Sequence, residues 1–424
     1  MNNFFMIMCA IFIFGEVITP SYGQEYKKQN IINISTASEL QTFRQQVNEG
    51  KNMKNKIVIL TNDIFLNDTA DWQNWDVKAA GKKQWIPIGT CEKPFCGFFD
   101  GQGYTIYGLY INRSKDGFYQ GLFGVVYDST IKNISLKASV VKGCQFIGGI
   151  IGHVGIVCNS ENSTNIANCS NFSKIIGSRN FVGGIIGAGK VQFNALLSIT
   201  DCSNYGEVCG INQIGGIIGA CDNGYIRKDI RKPGLLIYNC ANRGSITGTT
   251  EVGGICGWFN NKVISAGGVA DAIANCYNTG KIQARMYGGG IVGRLAVCKL
   301  RMEEICSLSF SNCYNAGKVK CEYIASADDL VGVYRDLNNF SNLPLIEKCS
   351  SPCYFLFNKD QEVGRQVVNY TSSPKNVVKL TKEEMKSLDF VEKLNTYSLK
   401  SLGRYTGWCL DSLQVNNGYP IFIK

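Results

Sequence analysis

The chain has 424 residues, of which 47 are glycine and 8 proline; 45% are hydrophobic and only 18% charged. That apolar content supports a packed core and excludes a disordered chain. The net charge of +10 is a mild basic excess, suited to acidic glycans or anionic surfaces, or to solubility alone.

Residues 1–23 read as an export signal. Phe4 to Phe14 is almost wholly apolar, too short for a comfortable membrane span, and small residues at Ser21 and Gly23 suit cleavage before Gln24. No later stretch approaches ~20 apolar residues, so no transmembrane segment is expected in the mature chain. Residues 24–84 form an N-terminal cap. Thr36-Ala37-Ser38-Glu39 is a capping box opening a helix that carries Leu40, Phe43 and Val47 on one face, with Gly50 as its stop. Strands follow at 56–60 and 63–66.

From residue 85 to 356 the sequence repeats itself. Gly148-Gly149-Ile150-Ile151-Gly152 returns at 183–187 and 215–219, as Gly253-Gly254-Ile255-Cys256-Gly257, and as Gly289-Gly290-Ile291-Val292-Gly293. Between successive copies lies Asn168-Cys169-Ser170-Asn171, returning at 201–204, 239–242, 275–278 and 312–315. The distance from the motif cysteine to the next glycine pair is nearly constant (Cys169 to Gly183, Cys202 to Gly215), whereas the return from glycine strand to cysteine strand varies. A fixed part and an elastic part describe a rigid coil that lets out its insertions at one edge.

Each repeat holds three short β-prone runs, such as Val182 to Ile186, Leu197 to Thr200 and Glu207 to Val208, separated by polar turns. None can bury both faces alone. Stacking the copies at ~4.8 Å pairs each strand with its neighbours and joins the apolar residues into one core. Asparagines recurring at one turn position then stack into a ladder. The expectation is an all-β, right-handed parallel β-helix (β-solenoid) with small α-containing caps at both ends. Residues 357–424 form the second cap, with a capping box at Thr381 to Glu384 leading Met385 and Leu388 along a helical face. Asp328-Asp329 stands where the last glycine pair would be, so the array is degenerate there.

The glycine strands, the Ile-x-Asn-Cys-Tyr-Asn-x-Gly-x-Ile pattern at 273–282, Trp85-Ile86-Pro87-Ile88-Gly89 and Phe99-Asp100-Gly101-Gln102-Gly103 resemble GLUG-motif repeat proteins. The closing Asn417-Gly418-Tyr419-Pro420-Ile421 is similar to the end of such chains. The resemblance implies a bacterial secreted or cell-surface scaffold, a motif also found beside protease domains of the immunoglobulin-A-cleaving type. It implies little about ligand.

Eighteen cysteines follow Cys9. Cys169, Cys202, Cys240, Cys276 and Cys313 hold one place per coil, with Cys349 as a sixth, and read as a column of small buried hydrophobes with free thiols. Cys91 with Cys96, Cys298 with Cys306 and Cys349 with Cys353 are close enough in sequence to staple loops. No zinc-type ligand set accompanies them, and neither metal nor cofactor is expected.

The chain's single histidine, His153, excludes a His-Glu-x-x-His metalloprotease and leaves a Ser-His-Asp triad one candidate without a nucleophile elbow. The repeat strands carry almost no Asp or Glu, so the carboxylates of a polysaccharide lyase or hydrolase are missing. No catalytic residue is assigned, and a non-enzymatic chain is expected. The elastic loops are basic at Arg227, Lys228, Arg231 and Lys232, and again at Arg294, Lys299 and Arg301. Tyr205, Tyr277 and Tyr314 recur beside the turns, where rings can stack on sugars. These residues form the expected ligand-binding edge of a cell-surface adhesion scaffold for glycans or host proteins, with a glycan-active enzyme or a structural filament as alternatives. Nucleic acid is excluded as a partner.

Overall fold

A computed structural model describes residues 31–51, 53–75, 81–155, 163–191, 195–223, 234–261, 271–297, 308–322, 327–328, 331–336, 353–356, 377–400 and 406–423. The chain winds into a parallel β-solenoid of four sheets. One coil runs from a first-sheet strand (Leu196–Thr200) through second-sheet pieces (Ser203–Asn204, Val208–Cys209) to a third-sheet strand (Asn212–Gly215) and a fourth-sheet strand (Ile218–Asn223). The third and fourth sheets have seven described strands each, all in parallel pairing.

Register follows the motif. Gly148, Gly183, Gly215, Gly253 and Gly289 pair in one unbroken row, and Asp328 takes the next place. Here the chain turns from the third sheet to the fourth so tightly that a Cβ on Gly183 would lie 1.9 Å from the Ile186 carbonyl oxygen. No side chain fits that approach, which is why the corner is spelled with glycine. Inside it stack Ile150, Ile185, Ile217, Ile255 and Ile291, all at most 1% exposed. Each such side chain contributes roughly 1.5–3 kcal/mol of burial.

Both asparagines of the cysteine motif make ladders. The inner one runs Asn171, Asn204, Asn242, Asn278, Asn315, each amide donating to the next Oδ1 at 2.7–2.8 Å. The outer one holds residues in the left-handed region (Asn168 φ 50°, Asn275 φ 53°), where asparagine is tolerated better than most residues.

At the N-terminus, helix α1 (Ala37–Asn48) has the expected capping box, with Glu39 N–H donating to Thr36 Oγ1 at 3.2 Å, and buries Leu40, Phe43 and Val47. The strands Ile31–Ile34 and Ile57–Leu60 already belong to the first sheet, pairing onward to Phe98–Asp100. The coil therefore begins well before residue 85.

The C-terminal unit comprises α2 (Lys382–Met385), α3 (Leu388–Lys400) and an antiparallel pair, Trp408–Cys409 with Ile421–Phe422. Its capping box at Thr381 is present, but Leu388 is 57% exposed, and Phe390, Val391 and Leu394 supply the buried face instead. The unit packs on the flank of the last coils, against Tyr277, Tyr314 and Tyr354, so it covers a side of the solenoid.

Candidate functional site

On the fourth sheet alternate side chains point out of the coil. Register brings His153, Ala188, Ala220, Trp258 and Arg294 into one column. Two residues along the strands, Lys190, Asp222 and Asn260 form a second column, with Asn260 Nδ2 donating to Asp222 Oδ1 at 2.7 Å. A third column comes from the third sheet, two residues before each glycine pair: Phe146, Phe181, Gln213, Glu251 and Tyr287, all at φ 57–65°. A left-handed L-residue costs on the order of 1–2 kcal/mol. Since it recurs in every coil, it is a device of the corner, and it turns each side chain outward beside the fourth sheet.

The rows have unequal character. Tyr119, Phe146 and Phe181 stack with centroids 4.9 and 4.8 Å apart, and the His153 ring meets Phe146 edge-on at 5.2 Å. Higher up, Gln213 and Arg294 both donate to the Glu251 carboxylate, which is 5% exposed. Between the large rings of His153 and Trp258 the column drops to Ala188 and Ala220, which are buried at 5% and 3% exposed. Burial, aided by the Lys190 charge, pulls the His153 imidazole down to about 4 against a hydrogen bond with Ala188 that opposes it, so the ring is neutral at pH 7.

Among the described residues eight buried side-chain polar atoms lack a hydrogen-bond partner, and four lie on this face: His153 Nδ1, Gln213 Oε1, Trp258 Nε1 and Asn260 Oδ1. Each such atom costs roughly 1–3 kcal/mol unless something outside the chain supplies a bond. All four are closed off from solvent, so what the face presents outward is the partly exposed rings of Phe146, Phe181, His153 and Trp258. It offers little for acid–base chemistry, because both carboxylates of these columns are occupied, Glu251 by Arg294 and Gln213 and Asp222 by Asn260. No group of three or more His, Cys, Asp or Glu side chains able to hold a metal occurs among the described residues.

The expected binding edge fares unevenly. Tyr277 and Tyr314 are 0% exposed, stacked 5.1 Å apart beneath Trp408 and Phe422, so they are core and cannot meet a ligand. Tyr205 is half-buried, stacked face to face on Phe172 at 4.4 Å with Arg243 over its ring, so both ring faces are occupied. Arg294 lies in a strand, Val292–Val297, and is bound to Glu251; it is no loop charge. Arg227, Lys228, Arg231, Lys232, Lys299 and Arg301 lie outside the described residues. The described chain stops before them at Asn223 and at Val297, each the end of a fourth-sheet strand.

The cysteines also need correction. Cys169, Cys202, Cys240, Cys276 and Cys313 stack as buried free thiols, each donating to the carbonyl two residues before it, as Cys240 does to Tyr238 at 3.1 Å. The sixth place belongs to Cys353, because Tyr354 pairs with Tyr314; an insertion of irregular length hid that register. Cys353 is thus in the column and unavailable as a staple to Cys349, which lies outside the described residues. Cys91 and Cys96 are both free thiols, Cys96 turned to the Pro94 carbonyl at 3.8 Å. Cys298 and Cys306 lie outside the described residues.

Gln213, Glu251, Phe146, Phe181 and Trp258 escaped sequence reasoning. Their signal was a fixed place, two before or five after the glycine pair's first residue, filled by changing residue types. Only the left-handed turn reveals that the two places adjoin.

No family model matches the chain. A "putative Gly-rich membrane protein" of Evansella cellulosilytica is 34% identical over 142 residues, which is 32% of this chain. The chain covers 15% of that relative's length. The crystal structure of a "putative immunoglobulin A1 protease" from Bacteroides ovatus shares the fold, with a TM-score of 0.54 at 19% identity over 93% of both chains. No helix among the described residues is long and apolar enough to cross a membrane.

Proposed function

We propose that this chain is an exported, non-catalytic β-solenoid of the GLUG-repeat kind that binds glycans on its fourth-sheet face at a cell surface. The observation that carries the reading is the row of partly exposed rings, Phe146, Phe181, His153 and Trp258, on one outer face of the coil. Saccharides suit such a face because their flat C–H surfaces pack on aromatic rings. The similarity to a protein named as a membrane protein fits display at a surface. The name of the Bacteroides ovatus protein raises hydrolysis, but a hydrolytic reading needs an unpaired acid–base pair or an activated nucleophile, and these columns supply neither.

The test is a glycan and host-protein array probed with residues 24–424 and with a Gln213→Ala, Trp258→Ala variant. The reading expects glycan signals that the variant loses; a chain that binds no glycan overturns it. Replacing Arg227, Lys228, Arg231 and Lys232 by alanine separates the loops from the face. Retention unchanged at low salt removes those loops from the binding surface.

A further inference from the structure

Alternate residues of the second sheet point outward, and one outward column runs Phe65, Tyr107, Lys137, Phe172, Tyr205, Arg243 on successive coils. It reads ring, ring, cation, then ring, ring, cation. Phe65 and Tyr107 stack at 4.7 Å and 4° from parallel, Phe172 and Tyr205 at 4.4 Å and 2°. Lys137 Nζ lies 4.9 Å from the Phe172 ring centre and the Arg243 guanidinium carbon 5.1 Å from that of Tyr205, so the second pair is held between two cations. All six side chains are at least partly exposed, Phe65 at 61%. At the next place Thr279 Oγ1 donates to Asn416 Oδ1 of the C-terminal unit at 2.6 Å, so the column ends where that cover begins.

Its outward surface is electropositive. Stacking turns the electron-rich ring faces onto one another and onto the cations, and leaves the positive ring rims toward water. Among the described residues neither Lys137 nor Arg243 forms an ion pair. Arg243 donates from Nε and Nη2 to the Tyr277 hydroxyl, which fixes the guanidinium and leaves Nη1 for a ligand. Beside the column Lys174 and Glu207 sit on adjacent rungs and offset each other.

The spacing narrows the choice of anion. Lys137 and Arg243 stand three rungs apart, about 14 Å at 4.8 Å per rung, with only ring rims between them. A nucleic-acid strand sets a phosphate about every 3.4 Å and would lay several charges over that uncharged stretch. A polysaccharide that alternates acidic and neutral sugars places its charges farther apart.

We infer that this column binds a linear acidic glycan along the solenoid axis, its carboxylates or sulfates at Lys137 and Arg243 and its neutral sugars over the rims between. The surface is separate from the fourth-sheet face and stands or falls independently of it.

Calorimetry with residues 24–424 tests it, at low and high salt. The probes are oligosaccharides of hyaluronan (carboxylate alone) and chondroitin sulfate (carboxylate and sulfate), with cello-oligosaccharides and single-stranded DNA as competitors for the assignment. The expected result is that an acidic series binds more tightly than either competitor and weakens with salt. Lys137→Gln and Arg243→Gln should each weaken it about tenfold, the equivalent of one lost charge-assisted bond, and Arg243→Lys should recover part of the loss. Melting curves show whether each variant keeps its coil; Lys137→Gln removes no side-chain hydrogen bond among the described residues and carries the test where Arg243→Gln unfolds. Tighter binding of DNA, or equal binding of the neutral series, overturns the inference. So does affinity unmoved by Lys137→Gln, or lost instead with the Gln213→Ala, Trp258→Ala variant. Binding of no acidic oligosaccharide overturns it whether or not a neutral glycan binds the fourth sheet.

Discussion

One column on the second sheet can be read in two halves. Ser170, Ser203 and Ala241 stand in register with Tyr277, Tyr314 and Tyr354 on successive coils. The lower half is small: Ser170 and Ser203 are partly exposed, and Ala241 is already buried at the margin of the C-terminal unit. The upper half is tyrosine where the C-terminal unit lies on it, and Trp408 and Phe390 fill the space between the rings. Polar groups change state across the same boundary. Asn239 Oδ1 accepts Thr406 N–H at 3.1 Å, and Asn275 Oδ1 accepts the Trp408 indole N–H at 2.8 Å. The second sheet has thus had its polar edge completed by the chain's own end, whereas the fourth-sheet face keeps four buried polar atoms without a partner. Residue type at a repeated place reports what covers that place.

The largest test of this contrast is Trp408→Ala. The indole is 1% exposed and touches Tyr277, Tyr314 and Phe422, so its loss should cost about 3–5 kcal/mol of the C-terminal transition in a denaturant titration. The lower coils should keep their amide-exchange protection, because solenoid coils depend on their neighbours only. If the whole array melts with Trp408, the cover is holding more than its own flank.

Next comes Asn242→Ala, which strands one N–H of Asn204 Nδ2, its other bond to the Gly206 carbonyl remaining, and takes the donor from buried Asn278 Oδ1. Two such orphans cost about 3 kcal/mol together. A loss under 1 kcal/mol on the same titration would mean that water enters the ladder.

Acid should act on the other face. His153 is held at about 4, below its unfolded value of 6.5, so between those pH values the unfolded chain binds more protons. Stability is therefore full above pH 6.5 and falls as pH drops through the window, by on the order of 2 kcal/mol. His153→Gln should flatten that slope in melts run from pH 7 to 4; an unaltered slope would place the effect on other groups.

The smallest effect belongs to Ser203→Tyr. The open half of the column has room toward water, so a tyrosine there should shift stability by no more than about 0.5 kcal/mol. Tyr277→Ser, the reverse exchange under the cover, should cost several times as much in the same assay.

Much of the scaffold is visible in the residues themselves. Glycine pairs at near-constant distance from an Asn-Cys-x-Asn motif define rung, corner and column, because parallel strands in register can only repeat what the chain repeats. Both capping boxes could be read for the same reason, being local. The binding edge was less legible. Tyr277 and Tyr314 look like surface residues beside turns until a segment some hundred positions later folds over them, a contact with no local trace. Arg294 looks like the start of a basic loop until its partner, Glu251, is brought beside it by a left-handed turn that no residue type announces. Cys91 and Cys96 are neighbours in the chain, but proximity alone does not aim two sulfurs at each other.

The two amide ladders also have a direction. Along the inner one every NH₂ group points toward the C-terminal coils, from Asn171 to Asn315. Along the outer one the bonds point the other way, Asn168 to Asn133 to Asp100, and Asn312 to Asn275 to Asn239 to Asp201. A carboxylate can accept but not donate, so each outer run must terminate on its aspartate and cannot reverse. Asp100 and Asp201 thus act as arrowheads, setting the polarity of two lines of aligned dipoles opposite to the line beside them. The solenoid thereby sheds most of the field that one-way amide stacking would build along its length.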